Sequence, residues 1–120
     1  MTEDLDSDMQ TMLERIEHYY GFIPKIYQEL QHNPPVFKAF FYKSEQLAID
    51  PALPALTKEF IAISAAASLG SEYYLETHIQ GAKRLGAQDD QIALAILIGA
   101  SVAETTALSK SLRVWERSRV

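Results

Sequence analysis

GSEYYLETHIQGAKRLG, residues 70–86, is the stretch that decides how this chain folds. Gly70 can take the left-handed conformation that stops a helix. Ser71 is suited to cap a new helix, and Glu72 in its first turn complements the helix dipole. Upstream, ALTKEFIAISAAASL runs into Gly70 with helical period, so the chain is expected to double back as an antiparallel helical hairpin. Glu59 lies 11 residues before the turn and His78 lies 8 after it. At ~1.5 Å rise per residue that leaves an axial mismatch of about 5 Å, which side chains can bridge. The spacing Glu59…Ser71-x-x-Tyr74-x-x-x-His78 is also that of a two-cysteine redox site, Glu…Cys-x-x-Cys-x-x-x-His. A hydroxyl residue stands where each cysteine would be, and the chain contains no cysteine at all.

Working outward, every long segment has helical period and none alternates with period two, so the fold is expected to be all-α with about six or seven helices. Leu5, Met9, Met12, Ile16 and Tyr20 form one stripe of a first helix that Gly21 ends. Pro24 suits the first turn of a short second helix reaching about Gln31. Asn33-Pro34 reads as a capping amide followed by a proline needing no N–H partner, opening a helix whose buried face is Phe37, Phe40, Phe41, Ser44 and Leu47. IDPALP, residues 49–54, is a break too short for a domain linker. It separates an aromatic-rich half from an alanine-rich half, whose helix buries Leu56, Phe60, Ile63 and Ala67. Gln88, Asp89, Asp90 and Gln91 open a further helix, and its run IALAILIGA is apolar on all sides, as for a helix surrounded by others. A separate terminal helix is expected from Thr105. The whole reads as a single domain, 1–120, with N-terminal helices at 20–53, a core at 54–103 and a C-terminal helix at 104–120.

Composition narrows the function classes. Eleven basic against sixteen acidic residues give a net charge of −5, and no basic stripe is present, which argues against nucleic acid as a partner. Without cysteine there is no disulfide, thiolate metal site or thiol nucleophile. The N-terminal MTEDLDSDMQ lacks a secretory layout, and the longest apolar run, residues 92–100, falls short of the ~20 residues of a membrane span. A soluble, cytoplasmic protein without membrane association is expected. His18, His32 and His78 are scattered, and Glu72, Glu76 and His78 spread around one helix, so neither a metal nor another cofactor is implied.

On their helix Tyr74 and His78 are one turn apart, with Ser71 another turn back. If the hairpin brings Glu59 alongside, Glu59, Ser71, Tyr74 and His78 share a pocket able to move protons: His near neutral pH, Glu orienting it or acting as base, Tyr donating a hydrogen bond. Each also has a plainer role. Ser71 is accounted for by capping, Tyr73 and Tyr74 by half-buried packing, Glu59 by a solvated helix charge, and His78 by a hydrogen-bonded packing position.

KEFIAISAAASLGSEYYLETHIQGAKRLGAQDDQIALAILIG, residues 58–99, resembles the carboxymuconolactone decarboxylase and alkylhydroperoxidase D-like family. Its pattern is Lys-Glu, an alanine-rich run, Cys-x-x-Cys-x-x-x-His, a helix ending in glycine, then a capped Glu/Gln-Ile helix. Lys58-Glu59, Ser71, Tyr74, His78, Gly86 and Gln91-Ile92 stand at those places, and GFIPKIYQELQHNPPVFKAFFY, residues 21–42, is similar to the N-terminal half of many members. The resemblance implies an all-α fold assembled as a homotrimer or homohexamer. It also implies a relay of Glu, two Cys and His in the redox branch, of which only Glu59 and His78 keep their residue type. Thiol peroxidase chemistry needs a thiolate that becomes a sulfenate or disulfide, so it is not expected. The aromatic-Gly-Pro segment typical of the decarboxylase branch is replaced here by GASVAETTALSKSL.

Two functions remain open from sequence. One is a small-molecule-binding oligomer that keeps the fold without the reaction. The other is an acid–base enzyme, of decarboxylase or isomerase type, acting on a small organic acid through His78 and Glu59. Self-association is the expected partnership, because residues 92–103 have no polar face apart from Ser101 and the Phe37, Phe40, Phe41, Tyr42 cluster is bulky for so small a domain.

Overall fold

The computed structural model describes residues 2–119, with side chains from residue 8 onward. Six helices follow one another: α1 (Thr2–Tyr20), α2 (Lys25–Leu30), α3 (Pro34–Ile49), α4 (Ala55–Leu69), α5 (Glu72–Arg84) and α6 (Asp89–Ser118), with no strand among the described residues. The α1 stripe is seated as expected at Met9 and Ile16, which are buried, while the side chain of Leu5 lies outside the described residues. Pro24 precedes α2 and is itself buried. Asn33 sits at the N-cap of α3, but its side chain makes no capping hydrogen bond, and Pro34 alone supplies the start signal.

Two apolar clusters form. The first joins α1, α2 and α3 through Met9, Ile16, Tyr27, Phe37 and Phe41. Its rings meet edge-on at 5.6 Å for Tyr27 with both Phe37 and Phe40. Phe37 is fully enclosed, a burial that contributes about 2–3 kcal/mol. Leu47, expected on this buried face, is 64% exposed, because α3 passes beyond the cluster before it ends. The second cluster joins α4, α5 and α6 through Ile63, Ala82, Ile92 and Ala95. Here small residues let backbones approach: a Cβ on Gly99 of α6 would collide with the Ser64 carbonyl oxygen of α4. Ser64 Oγ fastens the same crossing by donating to the Ala95 carbonyl at 2.7 Å.

The α4–α5 hairpin forms at Gly70, whose φ of +68° is left-handed. Ser71 N donates to Ala66 O at 3.0 Å and Gly70 N to Ala67 O at 3.2 Å, satisfying the last carbonyls of α4. Ser71 Oγ then accepts from Tyr74 N at 3.4 Å as the N-cap of α5.

The C-terminal quarter departs from expectation. No break occurs near residue 104; α6 is one helix of 30 residues, about 45 Å long. Its run at residues 92–100 is buried on one side only, at Ile92, Ala95 and Gly99, while Leu94, Leu97 and Ile98, and Val102 just beyond, are more than half exposed. Beyond Ala103 every described residue is exposed, so the helix leaves the body as an arm. The molecule therefore measures 67 × 33 × 25 Å, with a radius of gyration of 18.4 Å. A compact chain of this length would have about 14 Å. An 18-residue window of α6 has mean hydropathy 1.7, so by length and composition alone this helix could cross a membrane, which the shorter uninterrupted run did not suggest.

Candidate functional site

The site lies at the seam between the two clusters. α4 presents Glu59 toward α5, and Glu59 is 7% exposed. His78, three residues before Gly81 on α5, meets it: Nδ1 lies 2.9 Å from Glu59 Oε2. The approach is possible because position 81 has no side chain. A Cβ there would come within 2.9 Å of Glu59 Oε2 and 3.0 Å of its Cδ. The other carboxylate oxygen accepts a hydrogen bond from Tyr19 Oη at 3.0 Å, delivered from the last turn of α1. Glu59 is thus held on both oxygens, as a buried carboxylate requires.

With Nδ1 committed to the carboxylate, that nitrogen carries the proton and donates, and Nε2 is the ring's free acceptor. No hydrogen bond to Nε2 exists among the described residues, and no buried side-chain nitrogen or oxygen there lacks a partner, so Nε2 reaches open space. His78 and Glu59 also line a cavity of about 570 Å³, walled by residues of α1 to α5 and the break between α3 and α4. Its size falls within the usual range of small-molecule pockets. Grooves along the α6 arm are walled by residues of that helix alone and enclose nothing.

Aromatic side chains dominate the near wall. The Tyr74 ring is stacked on His78 with centroids 6.4 Å apart and planes 16° from parallel. Tyr73 Oη accepts from the Ile26 amide at 2.7 Å, tying α5 to α2. Lys58 does not point its charge at a ligand: Nζ donates to Ala48 O at 2.7 Å and to Asp50 O at 2.6 Å, closing the exposed end of α3. Tyr19 and Tyr20 hold their protons well above the ordinary tyrosine range, first because of burial and then because of the Glu59 charge nearby. Both therefore remain neutral hydroxyls beside the carboxylate.

Of the four residues expected from sequence, the structure gathers Glu59, Tyr74 and His78 on one cavity and leaves Ser71 outside it. Ser71 is spent on the α5 cap, so the position matching the first redox cysteine contributes no group to the wall. Tyr19 and Gly81 also belong to the site, though the sequence pattern does not point to them. Tyr19 is remote in sequence and only tertiary packing brings it in. Gly81 sits one turn past His78 on the same helix face, and a glycine inside a helix was its available signal. No group of three or more His, Cys, Asp or Glu able to hold a metal occurs among the described residues.

Fold and site together define an all-α protein with a Glu–His pair set in a pocket at a helical hairpin. Residues 34–117, more than half of the sequence, match the carboxymuconolactone decarboxylase family, and the chain belongs to that family as a cysteine-less member. No curated protein and no solved structure matches the chain.

Proposed function

We propose that this chain binds a small organic molecule in the seam cavity, where His78 acts as an acid–base group on it. The observation that carries the proposal is the 2.9 Å contact between His78 Nδ1 and the buried Glu59, made beside a cavity of about 570 Å³. A carboxylate on one imidazole nitrogen fixes the tautomer and stabilises the imidazolium formed when the other takes a proton. Nε2 would accept a proton from the bound molecule and return it to another of its atoms, an isomerase-type reaction. In a decarboxylase-type reaction it would instead deliver a proton to the carbon that loses carbon dioxide. Thiol-dependent peroxide reduction is outside the reach of this chain, since no residue in it can form a sulfenate or disulfide.

A substrate screen on the wild type and His78→Asn tests this. The expected result is an activity reduced about 100-fold or more in the variant, the usual scale of a lost acid–base group. Unchanged activities and unchanged ligand binding would refute it. A ligand held equally well by both proteins, with no turnover by either, would leave a binding protein that keeps the fold without the reaction.

The proposal includes self-association through α6, with a soluble, cytoplasmic homotrimer or homohexamer as the working form. Leu94, Leu97, Ile98, Leu112 and Trp115 are each more than half exposed. Residues 105–120 carry a net +3 and residues 1–104 a net −8, so the arm of one copy is charge-complementary to the body of another. Light scattering after size exclusion should give an integer multiple of 13.5 kDa, and Leu97→Glu together with Leu112→Glu should lower it. A monodisperse monomer, or a protein recovered only with lipid or detergent, would overturn this part.

A further inference from the structure

Resting on that acid–base reading, we infer that the molecule taken by the seam cavity is an uncharged ring compound offering a single weakly acidic O–H or C–H to His78 Nε2, and that it is not a carboxylate.

The inference comes from what each charge on the wall is already doing. The two acidic groups are committed: Glu59 to Tyr19 and His78, and Asp50, whose Oδ1 accepts from the Ala52 amide at 2.9 Å. Of the two lysines, Lys58 is engaged by two backbone carbonyls at the end of α3. Lys43 places Nζ 5.0 Å from the centre of the Phe40 ring and is exposed to solvent, where an ion pair with a ligand would be strongly screened. The lining includes no arginine, the residue suited to gripping a carboxylate on two bonds, and its formal charges cancel with histidine neutral.

The rest of the wall is made for rings. Tyr20, Tyr27, Phe40, Tyr73 and Tyr74 come from four helices to line one space, and aliphatic Ile61 and Ala62 complete the α4 side. Aromatic faces and edges favour offset or edge-on contact with another ring. The Tyr73 hydroxyl already meets the Ile26 amide, and His78 is the one imidazole on a wall whose other neutral polar groups are hydroxyls. One ring, one acidic proton and no net charge match this set. Decarboxylation needs a carboxylate in the pocket, so the same reasoning favours the isomerase type: a proton leaves the ligand for Nε2 and returns to a different ligand atom, with no other reactant consumed.

The test pairs two probes that share a ring system and differ in charge near neutral pH, naphthol and naphthoate. Isothermal titration of the full chain should show naphthol binding at least about tenfold more tightly, the scale of leaving one charge without a partner. Ala62→Phe should abolish that binding by filling the cavity, and Ala48→Phe, at an exposed wall position, should weaken it should the first variant fold poorly. Naphthoate binding as tightly as naphthol, binding of neither, or binding indifferent to both wall variants would overturn the inference. The acid–base reading is judged separately: neutral selectivity retained in a His78→Asn protein with no loss of any activity would remove the proton transfer and leave the ligand class standing.

Discussion

The two halves of this molecule solve the packing problem in opposite ways. Around α1, α2 and α3, large rings fill the volume, and Phe37 and Tyr27 are enclosed by other aromatic and aliphatic side chains. Around α4, α5 and α6, isoleucines share the core with alanine, and helices approach backbone to side-chain-free backbone where Gly99 meets Ser64. The difference teaches where each half is vulnerable. The aromatic half is harmed by removing atoms and the small-residue half by adding them. It also accounts for the placement of the site. The closely approached helices fix Glu59 against His78, while the ring-filled half lends a wall and Tyr19 from across the seam.

The largest effect is expected from Phe37→Ala, which deletes a fully enclosed ring and should cost about 3–5 kcal/mol in denaturant unfolding. Gly99→Ala comes next. Its added methyl would meet a main-chain carbonyl that cannot swing aside, so a loss of about 3 kcal/mol is expected. If Gly99→Ala were neutral while Phe37→Ala was severe, the contrast between the halves would fail.

Tyr19→Phe probes the seam. It removes one of two donors to a buried carboxylate and should cost about 1–3 kcal/mol near neutral pH. It also carries a pH signature. In the folded chain Tyr19 keeps its proton to higher pH than in the unfolded one, by burial first and by Glu59 second. Its contribution is therefore complete below about pH 10 and falls away as pH rises above that, because the unfolded chain ionises first. Unfolding midpoints measured upward from neutral pH should drop less steeply in the variant, with Tyr20, Tyr27 and Tyr73, each also raised by burial, contributing to the slope that remains.

The smallest expected change in stability, and the sharpest in the site, is Gly81→Ala. Helix propensity gains about 1 kcal/mol from the substitution, offset by displacement of the Glu59 carboxylate. The midpoint should scarcely move, yet the downfield resonance of the His78 Nδ1 proton should vanish. A retained resonance would show that the carboxylate has room the structure does not give it.

Much of this was legible in the residues. Gly70 and Ser71 carry local signals that act over three or four positions, so the hairpin and its boundaries follow from them, and the hairpin's arithmetic then brings Glu59 to His78. Other features depend on contacts that no local pattern encodes. Tyr19 reaches Glu59 across 40 positions, and it precedes the segment that matches the family. Ser71 was doubly suited, to a cap and to a pocket, and the cap took its oxygen. Asn33 offered a capping side chain that the structure does not use. The run at residues 92–100 is apolar on every side, a pattern that does not distinguish one face of the helix from another. Within one chain only the Ile92, Ala95 and Gly99 side finds cover.

The Gly70 reversal also determines where the chain can change length. One residue added between Glu59 and the turn would rotate the acid about 100° around α4, away from the imidazole. One added between the turn and His78 would swing the imidazole instead. The bend at residues 50–54, which joins α3 to α4, sits upstream of both counts and can lengthen without disturbing either. Drift in loop size should thus gather at that bend, while the nineteen-position interval from carboxylate to ring stays closed to insertion.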